Sequence, residues 1–532
     1  MEEERTYRVL VADNLSPRGI EILKREKAIK CYAWADFSPG ELRATIGEYD
    51  GIIIRSKTRL TADIINASER LKVIGRAGIG VDNVDVQAAT RRGIVVMNTP
   101  RENAVAAAEH TIGMMLAISR NIPQASVSTK SGKWERGKFM GVELYGKTLG
   151  VIGIGSIGSL VAERAQGLKM NVIAYDPYMP EDISAQKGIP LVTLDELLRR
   201  SDFISVHAPL TEETRNLLDA EAIARMKEGV VIINCARGGI VDEGALLDGL
   251  RSGRLRGAAL DVFENEPATG NPLFELDNVV CTPHIGASTN EAQENVAVAI
   301  ADQVVDFLVN KRIRNAVNIP IVSPEVLPVV KPYIDLGERL GSFLTQISDT
   351  AVEELSIEYR GAVAEYTVAP ITVSILRGLL TPYMGKVVNF VNASVIAKDR
   401  GIRVRESKSS TAEDFASMVA ITAMGRGERH YIAGALFRTR DFRIVQINDF
   451  RIEALPEGNM VLIQNYDRPG VIGNIGTALG NRNINIATMQ FSRDRSGGVA
   501  ISLLHLDSVI TKQVVGELSQ LPNIISVKHI EL

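Results

Sequence analysis

The turn Gly153-Ile154-Gly155-Ser156-Ile157-Gly158 has the spacing G-x-G-x-x-G and follows directly on the apolar run Leu149-Gly150-Val151-Ile152. In that context the first glycine permits a tight turn and the second lets the backbone approach a pyrophosphate. The third lets the next helix pack on the strand. The helix N-terminus would then offer N–H groups and partial positive charge to the phosphates of a dinucleotide. A second apolar run, Asn171-Val172-Ile173-Ala174-Tyr175, ends in Asp176. An acidic group there accepts ribose hydroxyls and repels a 2′-phosphate, so NAD is expected over NADP.

Three more apolar runs deliver groups suited to one reaction. Val231-Ile232-Ile233-Asn234-Cys235-Ala236 leads to Arg237, Ala258-Ala259-Leu260-Asp261-Val262-Phe263 leads to Glu264 and Glu266, and Val279-Val280-Cys281-Thr282-Pro283 leads to His284. An imidazole can take a hydroxyl proton as a hydride leaves, and a neighbouring carboxylate orients the ring. A guanidinium can hold a substrate carboxylate bidentately. The set points to a 2-hydroxy acid and its 2-oxo acid. Taken singly, each residue also reads as a loop histidine, a solvated acid or a surface ion pair. Their convergence beside a dinucleotide turn favours one site. His110, in a small-residue helix, and His207, before Pro209, read as packing residues.

Rigid elements must hold these groups. Apolar runs at 148–152, 171–175, 202–207, 230–235, 258–262 and 279–282 predict six strands with helices between them, a doubly wound sheet. Upstream, 8–12, 51–54, 73–75 and 94–97 predict a separate parallel α/β unit. Residues 104–118 predict a helix, Arg314 to Pro320 an exit, and from Pro324 the character changes. The segment from about 460 has a β-α-β-β-α-β pattern. At 532 residues several domains are expected, and a formal net charge of −4 gives no footprint for nucleic acid or an anionic membrane. Three scattered cysteines exclude a disulfide scaffold or zinc ribbon. No metal site is expected. An acidic start without an apolar stretch predicts no signal peptide and a cytoplasmic protein.

The glycine turn, Asn234 to Gly239, Asp261 to Pro267 and Pro283-His284 together resemble the D-isomer-specific 2-hydroxyacid dehydrogenase family. Gly75 to Asn83 and Gly132 to Arg136 are similar to its long members. The resemblance implies two Rossmann-like α/β domains for substrate and NAD, then an α+β intervening domain and a ferredoxin-like ACT domain. The implied boundaries are 1–99 with 287–318, 100–286, 319–455 and 456–532. It makes His284 the acid/base, Glu266 rather than Glu264 its partner, and Arg237 the substrate-orienting arginine. Cofactor contacts carry over to Gly153, Gly155, Ser156, Ile157, Gly158, Asp176, Cys235, Ala236, Arg237, Asp261, His284 and Gly286.

Arg55, Lys57, Arg59 and Arg76 follow strands of the first unit, where a dianionic phosphate would want cations. Lys57 and Arg59 read as a solvated loop. The resemblance assigns Arg55 and Arg76 to phosphate, with Gly78, Ile79, Arg237 and His284 also on substrate and Arg136 supplied by a partner subunit. It implies NAD-dependent oxidation of 3-phospho-D-glycerate to 3-phosphohydroxypyruvate. It also implies L-serine bound by Asn465, Asp467 and Asn485, and a homo-oligomer, a dimer through the NAD-binding domain and in turn a tetramer. The tail could instead be a dimerisation module that binds nothing. Competing activities are a glyoxylate or hydroxypyruvate reductase and an NAD-sensing co-repressor.

Overall fold

The computed structural model describes residues 6–34, 37–320, 322–323, 325–411, 415–438 and 441–532. The acidic start at residues 1–5 and the change of character set at Pro324 lie outside the described residues.

The first sheet is parallel, built from β1 (Tyr7–Val11), β2 (Ile29–Ala33), β3 (Gly51–Ile54), β4 (Val73–Arg76) and β5 (Val95–Met97) in the order β2-β1-β3-β4-β5. Strands β3, β4 and β5 are apolar runs buried on both faces up to Arg76 at the end of β4, the signature of a sheet covered by helices on each side. Strand β2 was not foreseen. As an edge strand it is only half buried, and Ile-Lys-Cys-Tyr-Ala carries no apolar run.

The second sheet holds β6 (Thr148–Ile152), β7 (Asn171–Tyr175), β8 (Phe203–Val206), β9 (Val230–Asn234), β10 (Leu255–Leu260) and β11 (Val279–Cys281). The order is β11-β10-β9-β8-β6-β7, all parallel. Leu191 extends it beyond β7 by a single parallel bridge to Ala174. That one-residue stub completes the doubly wound pattern, with the strand order reversing between β6 and β8. Ligands bind such sheets outside the carboxyl ends at that reversal, and the turn from Gly153 stands there. Strand β10 starts earlier than its apolar run suggests, because Arg256 and a register shift precede Gly257.

After β11 the chain turns back. The helix Asn290–Leu308 lays Val296, Ala297, Ile300, Ala301 and Val304 against the first sheet, in one core with Val9, Val11, Ile53 and Val73. Ala316 then bridges Met97 antiparallel, and the Asn318 side chain accepts from the Val96 N–H and donates to the Ile94 carbonyl.

The third sheet contains β12 (Glu354–Gly361), β13 (Arg403–Ser409), β14 (Ser417–Gly425), β15 (Glu428–Arg438), β16 (Asp441–Ile447) and β17 (Phe450–Ala454), ordered β13-β12-β14-β15-β16-β17. It is mixed, with β13 parallel to β12 and the other pairs antiparallel. The helices Leu327–Ile347 and Ala369–Met384 share its core. The last sheet, β18 (Asn459–Tyr466), β19 (Ile486–Arg493), β20 (Val499–Leu506) and β21 (Ile524–Glu531), is antiparallel in the order β19-β20-β18-β21. With helices Val471–Gly480 and Lys512–Ser519 it is the ferredoxin-like module expected of the tail. Among the described residues no helix is long and apolar enough to cross a membrane.

Candidate active site

The dinucleotide turn is shaped by steric demand. Gly153 has φ +90°, a conformation that favours glycine. A Cβ on Gly158 would lie 2.0 Å from the Gly153 carbonyl oxygen. A Cβ on Gly155 would meet nothing within 4 Å, so the space beside this residue is open. Gly155 is the N-cap of the helix Ser156–Gly167, and no side chain caps it. Ser156 and Ile157 form the first turn. Asp176, at the end of β7, accepts the N–H of Ile154 at 2.9 Å and of Tyr178 at 2.9 Å. Each carboxylate oxygen keeps a lone pair for a hydroxyl. Open space, uncapped N–H groups and an anchored acid fit NAD.

At the end of β10, Asp261 is 1 % exposed. It accepts from the Thr282 hydroxyl (2.6 Å), the Ile285 N–H (2.8 Å) and the Gly286 N–H (2.8 Å). Burial raises its carboxyl, but these bonds and His110 outweigh that and hold it below the ordinary range. The Ile285 and Gly286 bonds fix the backbone just after His284, which stands at φ +54°. His284 Nδ1 lies 2.7 Å from Glu266 Oε2, and Glu266 Oε1 accepts the Phe263 N–H at 3.1 Å. Burial pushes the Glu266 carboxyl up. The hydrogen bond and charge of His284, with the Phe263 N–H, more than reverse this, so the group stays ionised. Glu264 is exposed, and its N–H is bonded to Glu243. Cys235 follows β9, and burial and the Asp261 charge push its thiol up to about 12, so it stays protonated. Ala236 N–H donates to Asn234 Oδ1 and Asn234 Nδ2 to the Arg237 carbonyl, a closed turn that aims Arg237 away from the sheet.

Arg237 Nε meets Asp82 of the first unit at 2.9 Å, and Nη1 donates to the Ala236 carbonyl. Arg76 ends β4 with a buried Nε that has no hydrogen-bond partner. Burial first, then the charge of Arg237 and more weakly that of Arg55, lower it to about 10, against opposing effects of Asp82 and Asp13. Arg55 donates its Nη1 to the Asn14 carbonyl. A cavity of about 1170 Å³ between the two parallel sheets is lined by Arg55, Lys57, Arg59, Arg76 and Gly78 on one side and by Glu266, His284 and Phe263 on the other. Ile79 sits beside it, its carbonyl held by Asn98 Nδ2 at 2.6 Å. Arg136 is not among the described residues lining the cavity of its own chain.

Three groups escaped the sequence reading. Asp82 pairs with a residue 155 positions away, a contact that no local pattern announces. Asn103 lines the cavity with a buried Oδ1 that has no partner. His110, read as packing, reaches Thr282 Oγ1 at 3.1 Å and Asp261 Oδ1 at 3.3 Å. His207 is a packing residue, its Nε2 2.8 Å from the Ser205 hydroxyl. In the tail, Asp467 accepts from Arg493 (2.9 Å) and the Gly497 N–H (3.1 Å), and Asn485 donates to Asp507 at 2.6 Å. Asn465 is buried with an unpartnered Oδ1. Among the described residues no three His, Cys, Asp or Glu side chains converge on a metal position.

Comparison with known proteins gives three family matches. They are the D-isomer specific 2-hydroxyacid dehydrogenase NAD binding domain over residues 112–286, the D-3-phosphoglycerate dehydrogenase intervening domain over 329–448, and the ACT domain over 459–523. The chain is 43% identical over 526 residues to a D-3-phosphoglycerate dehydrogenase of Methanocaldococcus jannaschii, covering 99% of this chain and 100% of that one. It is 40% identical to the one from Bacillus subtilis, with the same coverage. Among solved structures, a D-lactate dehydrogenase from Aquifex aeolicus complexed with NAD and lactic acid superposes with TM-score 0.53 at 30% identity, covering 59% of this chain and 100% of that one. The TT0316 protein from Thermus thermophilus superposes with TM-score 0.53 at 35% identity, covering 58% and 99%.

The His207 imidazole, lowered by burial to about 4, couples stability to pH. Its folded value lies below its unfolded one, about 6.5. Its contribution is therefore full above the unfolded value and is lost as pH falls from about 6.5 to about 4. The gap corresponds to about 3 kcal/mol. Replacing His207 by Gln should flatten the fall of the thermal midpoint between pH 7 and 4.5 relative to the native protein. Parallel curves would exclude the coupling.

Proposed function

The chain belongs to the D-isomer specific 2-hydroxyacid dehydrogenase family, among its D-3-phosphoglycerate dehydrogenases, and on that premise we propose how its residues divide the work. It is an NAD-dependent dehydrogenase that oxidises 3-phospho-D-glycerate to 3-phosphohydroxypyruvate, which places it in serine biosynthesis. The observation that carries the residue assignment is the His284–Glu266 pair facing Arg55 and Arg76 across one cavity, with the Arg237 charge acting on Arg76.

Arg237 holds the substrate carboxylate, and Arg55 and Arg76 take the phosphate, with Gly78 and Ile79 shaping the floor. A buried guanidinium with an unpartnered Nε suits an anion better than it suits solvent. His284 Nε2 takes the proton of the C2 hydroxyl, while Nδ1 stays on Glu266, whose negative charge stabilises the imidazolium. Bound NAD supplies the acceptor for the C2 hydride. Gly153, Gly155, Ser156, Ile157 and Gly158 would hold its pyrophosphate, and Asp176 would hold its ribose. Cys235, Ala236, Asp261 and Gly286 would complete the cofactor's surroundings. The domain division proposed is 1–99 with 287–318, 100–286, 319–455 and 456–532.

The ACT module fits control by an amino acid, and L-serine bound by Asn465, Asp467 and Asn485 is the effector proposed. We take the exposed Val105, Ile122, Val127, Trp134, Met140 and Tyr145, on and after the helices Ala104–Ser119 and Ile122–Lys130, as one apolar face. A face of that kind marks an interface, here a homodimer that brings Arg136 to the partner's cleft and assembles further to a tetramer. A cytoplasmic location follows from the pathway.

NADH formation should be far faster with 3-phosphoglycerate than with glycolate or D-glycerate. His284→Ala should abolish it, a loss of about a thousand-fold or more, with NADH binding nearly intact. Equal rates on all three acids, or full turnover without His284, would refute the assignment. Asp467→Ala should relieve inhibition by millimolar serine without changing uninhibited turnover. A native enzyme indifferent to serine would remove the effector from the account.

A further inference from the structure

The loop that follows β4 is cut to receive two guanidinium groups. A Cβ on Gly78 would stand 1.6 Å from Arg76 Nη1, and a Cβ on Gly80 would stand 1.9 Å from Arg237 Nη2. Both glycines therefore clear space for an arginine, one from the same unit and one from across the cleft. Asp82 completes the recess, with its Oδ2 on Arg237 Nε at 2.9 Å. The nearby Asp13 is engaged within its own unit. Its oxygens are occupied by the N–H of Arg55 (2.5 Å) and by the N–H and hydroxyl of Thr58.

We propose that Gly80 and Asp82 form a docking recess for Arg237 across the cleft, which makes Asp82 the positioning residue for the substrate-binding arginine. Two consequences follow from charge and geometry. Asp82 fixes the Nε edge of the guanidinium, so the remaining N–H groups are presented in one orientation and less rotamer freedom is lost on binding. It also offsets part of the repulsion that Arg237 and Arg55 exert on Arg76. Because Asp82 belongs to the first unit and Arg237 to the second, seating the arginine and closing the cleft are one event. The proposal rests on the reading of Arg237 as the carboxylate-binding arginine.

Asp82 is 66% exposed at its side chain, so Asp82→Asn should fold normally. It should lower kcat with 3-phosphoglycerate about ten- to a hundred-fold and leave the KM for NAD unchanged. Removing one negative charge should also tighten the binding of inorganic phosphate by about three-fold or more. That binding is read as protection against thermal unfolding, which requires no turnover. Gly80→Ala pushes the far ends of the Arg237 and Asp82 side chains apart from their present seat and removes no charge. It should therefore lower kcat without tightening phosphate. An Asp82→Asn enzyme with kcat within about two-fold of native overturns the proposal, and so does one that loses kcat with no gain in phosphate affinity. Failure of native turnover with 3-phosphoglycerate would strike the functional reading instead, and the phosphate measurement keeps the two apart.

Discussion

A single buried carboxylate governs the geometry of the cleft. Asp261 lies at the end of β10 with almost no exposure, and an unpaired charge there would cost several kcal/mol. The fold supplies its partners from the neighbouring strand end: the Thr282 hydroxyl and the N–H groups of Ile285 and Gly286. His284 lies between those donors in the left-handed region, which costs a residue with a side chain about 1–2 kcal/mol. Hydrogen bonds to a charged acceptor contribute about 1.5–3 kcal/mol each. Two of them outweigh the strain, so the imidazole is held where Glu266 can meet it. His110, reaching in from the helix Ala104–Ser119, closes the fourth side.

The rest of the molecule supports that arrangement. Parallel sheets gather their useful groups at carboxyl ends, and here two such sheets face each other across one cavity. The second contributes the dinucleotide turn, Arg237, Glu266 and His284, while the first contributes Arg55 and Arg76. The helix Asn290–Leu308 leaves the second sheet and covers the first, so the chain crosses the cleft more than once. The third sheet's unit is fastened to the first by Asn389 Nδ2 on the Gly93 carbonyl, just before β5. The last module is tied to the third by Gln346 and Glu531, which exchange side-chain and backbone bonds. Physical contacts thus run from the ACT domain through the third sheet's unit to the first.

Much of this was legible in the sequence, for a definite reason. Strands buried on both faces must be apolar throughout, so β3, β4, β6, β8 and β9 appear as Val/Ile runs, and whatever polar group follows each one stands at the cleft. Arg237 after β9 was readable on that ground, as were the Glu264–Glu266 pair after β10 and His284 after β11, while the choice of Glu266 over Glu264 came from the family resemblance. The failures share an opposite cause. Strand β2 and the Leu191 stub lie at sheet edges, where burial demands little of composition. The pairing of Asp82 with Arg237 and the convergence of His110 on Asp261 join distant segments through tertiary structure. A histidine in a helix of small residues has no local mark that separates packing from support of a site. Only tertiary structure distinguishes His110 from His207.

If Asp261 is the group on which the cleft depends, an isosteric change should be felt at once. In Asp261→Asn the amide would turn a donor toward backbone N–H groups that need an acceptor. The measurement is kcat with saturating 3-phosphoglycerate and NAD, per folded active site. A fall of about a hundred-fold or more is expected. Turnover within about two-fold of native would show that His284 keeps its place without the buried carboxylate, and would contradict the account.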